Sequence, residues 1–378
     1  MASLKQKIND IFNSADQKSP DKSLIITIGI IIVFGLSMLL TASSILAYTK
    51  FGDSYYYFKH QLIGLSIGLI IFYILSKFDY HNLRKYAFGF LVFSIILLIL
   101  VFIPGLGMDH GKARSWINIF GFSLQPSEIV KLSFLIYLAA WLERRKDNLD
   151  DIRQGIGPFV IILGVISGLM ILQPDIGTLS IIAGTSLVVY FVGGGKLKHI
   201  LVILIIGILC LSLMLHYKPY QKNRFKCMMD PSFSSQDICY QVNQSLIAVG
   251  SGGVTGRGLG NSIQKYMYLP EVSGDSIFAI IAEETGLIFS SILIFLFLFL
   301  FYRGYLISKH SHDMFGRILA IGIVSWIAIQ AILNIGGVIN LLPMTGVPLP
   351  LISYGGTAMI ATLAALGILV NISRSTER

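Results

Sequence analysis

The chain has 378 residues, 54% of them hydrophobic and 13% charged, with a formal net charge of +9. Soluble domains carry about 25% charged residues; here apolar runs of about 20 residues recur along the whole length, which excludes a soluble globular enzyme and points to a polytopic membrane protein. The positive charge then reports topology, and no soluble domain remains to carry a nucleic-acid footprint.

Residues 1–23 are polar, of mixed charge, and read as a tail. The first apolar run starts at Leu24, is long enough to span, and has no small-residue cleavage site close behind it, so it reads as an uncleaved span. Ten spans are predicted, at about 24–45, 61–77, 87–103, 127–142, 158–173, 176–193, 199–215, 275–302, 317–340 and 354–372. The fold class is therefore all-α polytopic: one transmembrane domain over 24–372, a large loop at 216–274 between the seventh and eighth spans, and a tail at 373–378. Ten spans put both termini on one side. Of the 29 Lys and Arg, 18 fall on that side and 10 on the other, with Lys131 inside a span. The positive-inside rule makes both termini cytoplasmic and the 216–274 loop extracytoplasmic.

The first chemical cluster in chain order is KARSWINIFGFSLQPSEIVKL, 112–132. Lys112 and Arg114 precede Trp116, an interfacial aromatic. Pro126 opens a helix on which Glu128 and Lys131 stand at i, i+3, a spacing that permits an internal ion pair. The other reading has Arg114 and Lys131 clamp a phosphate, Arg by bidentate contact and Lys as a point charge. Next, LQPDIGT (172–178) interrupts an apolar stretch, and Asp175 is placed to cap the helix that follows.

The 216–274 loop holds Lys218, Lys222, Arg224, Lys226, Arg257 and Lys265 against Asp230, Asp237 and Glu271. Cys227 and Cys239 flank its polar first part; on the exterior they suit a disulfide, although two thiols fit the spacing equally. Cys210 lies in an apolar run and reads as packing. The run GSGGVTGRGLGNS (250–262) is either a mobile loop or a means of bringing backbone N–H groups close to an anion.

The stretch LPEVSGDSIFAIIAEETG (269–286) sets Asp275 at the mouth of an apolar helix. It is either a cap on free N–H groups at the positive dipole end, or a base facing the membrane surface. Glu283 and Glu284 follow, roughly 12–14 Å deeper at 1.5 Å per residue. Acids at such depth are costly unless paired, neutral or hydrated. Glu283 lies about 80° round the helix from Asp275 and Glu284 lies opposite it at about 100° per residue. Glu283 is thus expected nearer a cavity, and Glu284 against a neighbouring helix; two structural acids bonded to backbone or Ser/Thr is the plainer reading. The loop LLPMTGVPLPLISYGGT (341–357) is too irregular for a span and should line a cavity or the outer surface. No metal-ligand spacing and no Walker A motif is present. No cofactor is identified, and assistance by a divalent cation is left open.

Taken together, KARSWINIFGFSLQPSEIVKL, LQPDIGT, YQVNQSLIAVGSGGVTGRGLGNSIQKYMYLPE, GDSIFAIIAEETG and PLPLISYGGT resemble the signatures of the SEDS family (shape, elongation, division and sporulation; FtsW/RodA-type), in the family's order and over most of the chain. GRGLGNSIQKYMYLPE and the ending LGILVNISR are more similar to the division branch than to the elongation branch. The resemblance implies a ten-span peptidoglycan glycosyltransferase that polymerises lipid II at the outer face of the cytoplasmic membrane. Its implied partners are a class B penicillin-binding transpeptidase and other membrane proteins of the division machinery. The family's essential acid at the start of the eighth span corresponds to Asp275, and its basic residues before and within the fourth span to Arg114 and Lys131. Lys112, Trp116, Asp175, Glu283, Arg257 and Lys265 complete the expected substrate-binding set. Where the family usually carries His-Thr before the acid, this chain has Ser273-Gly274. Two rival functions fit the composition: a lipid II transporter using the broken segments and intramembrane charges, and a non-catalytic division scaffold.

Overall fold

The computed structural model describes residues 19–110, 113–119, 122–217, 219–234 and 236–376. A helix occupies each of the ten apolar segments: α1 (Lys22–Phe51), α2 (Tyr56–Lys77), α4 (Ala87–Leu100) after the short α3 (His81–Lys85), α5 (Pro126–Arg145), α6 (Gly157–Leu172), α7 (Ile176–Val192) and α8 (Leu197–Tyr217). The 216–274 loop contributes α9 (Pro219–Met229) and α10 (Tyr240–Gly252), followed by α11 (Ile277–Lys309), α12 (Met314–Val338) and α13 (Gly356–Ser373). Among the described residues, seven helices are long and apolar enough to cross a membrane; α4 and α7 are apolar but shorter. This is a polytopic helical membrane protein.

Two features depart from the sequence reading. Residues before α5, to which the sequence reading assigns no element, form a three-stranded antiparallel sheet, β1 (Gly107–His110), β2 (Ala113–Ile119) and β3 (Phe122–Leu124). Trp116 and Ile117 stand opposite Met108 and Gly107. The eighth span is also not one helix. Gly286 takes φ 71° and ψ −172°, which splits α11 into a short segment ending at Thr285 and a long one beginning at Leu287.

Helices α12 and α13 are buried on nearly all sides, whereas α8 exposes most of its surface. Close approach needs small residues. A Cβ on Gly64 of α2 would sit 2.9 Å from Gly356 Cα of α13, and one on Gly304 of α11 would sit 2.1 Å from Val324 Cγ1 of α12. At one end of the bundle Asp21 pairs with Arg303, and its N–H donates to Ser373 Oγ at 3.1 Å. The first and last described segments of the chain therefore meet there. Tyr80 bonds Asp313, the cap of α12, at the same end. The opposite end gathers the sheet, the 216–274 loop and the irregular segment 339–355.

Candidate active site

Asp275 sits in a tight turn, where Gly274 N and Ser276 N both donate to Glu271 O, at 2.9 and 3.2 Å. It does not cap α11: Ser276 is the cap residue, and it makes no side-chain cap bond. The carboxylate instead receives Gln241 Nε2 at 3.1 Å and Ser276 Oγ at 3.4 Å on Oδ1. Its Oδ2 and Arg224 Nη2 both lie beside Gly346, 3.8 and 3.7 Å from where a Cβ would stand. Gly346 has φ +76°, a conformation that glycine takes at low cost.

The turn is backed from below. Asn334 Nδ2 on α12 donates to Asp275 O and to Val347 O, both at 2.8 Å. Ser353 Oγ donates to Gly274 O at 2.7 Å, and Tyr354 N donates to Ser273 O at 2.8 Å. The proline- and glycine-rich segment thus lines the site, as its irregularity implied. Burial pushes the Asp275 carboxyl up to about 7, helped by nearby Glu271 and opposed by Arg224 and Ser276. A carboxyl poised near neutrality suits a general base.

Glu283 and Glu284 follow the plainer reading, structural acids bonded to backbone, serine and lysine, and not the division between a cavity and a neighbouring helix. Both are buried beneath the glycine-rich loop. Glu283 accepts from Ser262 Oγ at 2.5 Å, Ile263 N at 3.0 Å and Gln264 N at 3.3 Å. Arg257 Nη1 stands 3.9 Å away. Glu284 pairs with Lys265 at 2.9 Å, on the loop rather than on a neighbouring helix. Lys265 also donates to Gly260 O at 2.6 Å. The loop does bring N–H groups to an anion, but the anion is the protein's own Glu283. The break at Gly286 makes this possible. Arg257 N and Gly258 N take the carbonyls of Glu283 and Glu284 at 3.0 Å, and Leu287 N takes Gly253 O at 3.0 Å. Loop and broken helix exchange the bonds that a continuous helix would keep for itself. Glu283 and Lys265, expected to bind substrate, are engaged within this loop, and Arg257 stands 3.9 Å from Glu283 at its partly exposed edge.

Lys131 is likewise occupied. Its ammonium contacts Glu128 Oε1 and Gln330 Oε1 at 2.7 Å each and lies 4.8 Å from the Trp326 ring centre. The pair is buried, with both side chains 1% exposed, so the ion-pair alternative holds. A cavity of about 10 Å³ adjoins Lys131, too small for a ligand. Gln330 Nε2 reaches Pro348 O at 2.8 Å. One turn later on the same helix, Asn334 reaches Asp275, so the two polar networks are joined through α12. Asp175 caps α7 through Thr178 N at 3.1 Å, and its Oδ2 faces Ser127 Oγ at 3.4 Å. Arg114 is placed by its backbone on β2, in register with Asp109. Trp116 is half-buried on the same strand, and Lys112 lies outside the described residues.

Two residues not singled out from the sequence complete the surroundings of Asp275: Arg224 and Gln241. They are carried by α9 and α10, which a Cys227–Cys239 disulfide joins with Cα atoms 5.3 Å apart. Cys210, expected to pack, is exposed on α8. Among the described residues no three His, Cys, Asp or Glu side chains cluster as metal ligands.

The geometry defines a class: a helical membrane protein whose loop end holds a half-buried acid between an arginine and two amides. Comparison with known proteins places the chain within it. The family model described as "Cell cycle protein", covering FtsW, RodA and SpoVE, matches residues 21–378. The chain is 40% identical over 359 residues to stage V sporulation protein E of Bacillus subtilis (strain 168), covering 94% of this chain and 97% of that protein. It is 39% identical over 368 residues to the probable peptidoglycan glycosyltransferase FtsW of the same organism, covering 94% and 91%. The rod shape determining protein RodA of Thermus thermophilus superposes with a TM-score of 0.70 at 25% identity, covering 95% and 98%. A chain from the study "Structural coordination of polymerization and crosslinking by a peptidoglycan synthase complex" shares the fold, with a TM-score of 0.76, 24% identity, and coverage of 94% and 98%. The chain belongs to the FtsW/RodA/SpoVE family.

Proposed function

We propose that the protein is a peptidoglycan glycosyltransferase that polymerises lipid II, with Asp275 as the general base. The acceptor sugar hydroxyl attacks the anomeric carbon of the donor and gives its proton to Asp275. The bond to the lipid pyrophosphate breaks, and the leaving oxygen keeps the electron pair. A single displacement at an α-linked donor gives a β-linkage, so no second nucleophilic carboxylate is required. Arg224 stands beside the base, and Arg114, which the family resemblance assigns to the substrate, is proposed to add positive charge for the pyrophosphate. The observation that carries this reading is the half-buried Asp275 at the loop end, with Gln241 Nε2 on Oδ1 and Arg224 on the side of Oδ2.

The same proposal sets the topology. Residues 1–23 and 373–378 are cytoplasmic tails, 24–372 form ten spans, and the 216–274 loop faces outward, which suits its disulfide. A class B penicillin-binding transpeptidase and other division proteins are the proposed partners, and the division septum the proposed place. A proton-coupled carrier would need Glu283, Glu284 and Lys131 exposed to a pathway. All three are committed to internal pairs, which favours the enzyme. Purified protein with lipid II in detergent micelles discriminates: an enzyme yields glycan polymer, whereas a carrier has no second compartment and yields none. Absence of polymer both alone and with the transpeptidase would overturn the proposal.

A further inference from the structure

The proposed chemistry uses Asp275 but leaves α10 without a task, although α10 makes the most direct contact with the carboxylate. Gln241, in the first turn of α10, donates through Nε2 to Asp275 Oδ1 at 3.1 Å and to Ser276 Oγ at 3.0 Å. Ser276 Oγ lies 3.4 Å from the same Oδ1. The three groups close a triangle on one carboxylate oxygen. The other oxygen, Oδ2, lies on the side of Gly346 and Arg224.

Gln241 is not a loose surface amide. Two residues before it, Cys239 is bonded to Cys227 of α9. Three residues before Cys227 stands Arg224, so one covalent bridge ties together both loop side chains that meet Asp275. Asn243 Nδ2 donates to Pro231 O at 2.9 Å, fastening the bridged segment back onto α10. At the far end of α10, Gly252 lies so close to α11 that a Cβ would meet Ala282 O at 2.0 Å. The helix is pinned at both ends, and Gln241 is held to one place.

We propose that Gln241 is a positioning residue for the catalytic carboxylate. It fixes Oδ1, leaves Oδ2 on the Arg224 side to take the acceptor proton, and depends on the Cys227–Cys239 bridge for its own placement. The inference rests on Asp275 being the base. An amide donor on a carboxylate favours its ionised form and restricts its rotation. The charged groups facing Asp275 are Glu271 in its own turn and Arg224 from α9. Helix α10 presents neutral Gln241 and α12 neutral Asn334. Removing Gln241 therefore withdraws stabilisation of the anion without removing a charge.

The test uses the full-length protein in detergent with lipid II, together with Gln241→Leu and Gln241→His, the latter retaining a ring N–H donor. Loss of one donor to a carboxylate should move the acidic limb of the pH–rate profile up by about one unit. Gln241→Leu then loses about tenfold in rate well below that limb and far less above it, with KM unchanged; Gln241→His recovers most of the loss. A loss equal at every pH, or an unmoved limb, overturns the proposal. A second readout needs no turnover: the infrared carboxyl band absent in Asp275→Asn should titrate at higher pH in Gln241→Leu than in the wild type. If the wild type makes no polymer, the proposed function fails, while this band still decides the role of Gln241.

Dithiothreitol supplies two thiols that reduce the bridge to two cysteines and leave as a cyclic disulfide. Reduction should shift the wild-type profile in the same direction as Gln241→Leu and add little in that variant. Full additivity of the two, or a reduced protein indistinguishable from the oxidised one, removes the bridge from the account.

Discussion

Replacing Glu283 by alanine should open the glycine-rich loop while leaving the bundle intact. Three donors end on this carboxylate: Ser262 Oγ, Ile263 N and Gln264 N. Left unsatisfied in a buried place, each costs about 1–3 kcal/mol. They share one loop and relax together, so their costs do not add in full. A net loss of about 3–5 kcal/mol in loop closure is expected, or roughly two to four powers of ten in the population of the open loop. Arg257, 38% exposed, adds little because water screens it. Hydrogen exchange followed by mass spectrometry reads this directly: amides of 253–265 should exchange faster by about that factor, while those of α12 stay protected. Unchanged exchange in 253–265 would refute the claim that Glu283 closes the loop.

Lys131→Met alone leaves Glu128 buried without its partner and should destabilise the protein by about 3–5 kcal/mol, whereas Glu128→Leu with Lys131→Met should recover most of that; thermal unfolding in detergent compares the two. Polymerisation should follow pH with an acidic limb near 7, rising as Asp275 ionises, because burial lifts its carboxyl above the ordinary range; a limb near 4 would contradict that lift. At the other end of the bundle, His81 is raised to about 9 by Asp313 and Asp79 against its ordinary 6.5. A raised folded pKa gives stability that is fully present below 6.5 and lost as pH rises through about 9. The wild-type melting temperature should fall across that window, and His81→Gln should flatten the fall. Asp313 is held down to about 2 by His81, Tyr80 and Gly316 N despite its burial, so its contribution is lost only as pH drops from about 4 toward 2.

The helical segments were legible because apolar runs of spanning length leave few alternatives in a bilayer. Asp275 was legible as an acid at the mouth of such a run, and the Glu128–Lys131 pair from its i, i+3 spacing. The short sheet was not: 107–124 mixes glycines and charges with apolar residues, and only cross-strand pairing brings Met108 against Trp116. Nor was the break at Gly286, because AEETG reads as helix until a second segment arrives to take its carbonyls. The plainer reading of Glu283 and Glu284 holds, but their angles from Asp275 do not apply, because Asp275 lies in a turn before the helix starts at Ile277 and their partners lie some twenty residues earlier in the loop. Arg224 was one of six loop cations with no local mark. What brings it to Asp275 is the Cys227–Cys239 bridge and the fold of α9, and spacing alone encodes neither. Gln241 carries no charge and no motif, so only contact reveals it.

The most direct test of the central claim is glycan polymerisation by Asp275→Asn. The substitution keeps size and polarity, so the variant should insert, melt within a few degrees of the wild type and retain its disulfide. It should make no polymer from lipid II at any pH under conditions where the wild type does. Polymerisation by Asp275→Asn at a rate near that of the wild type would contradict the assignment of this carboxylate as the base.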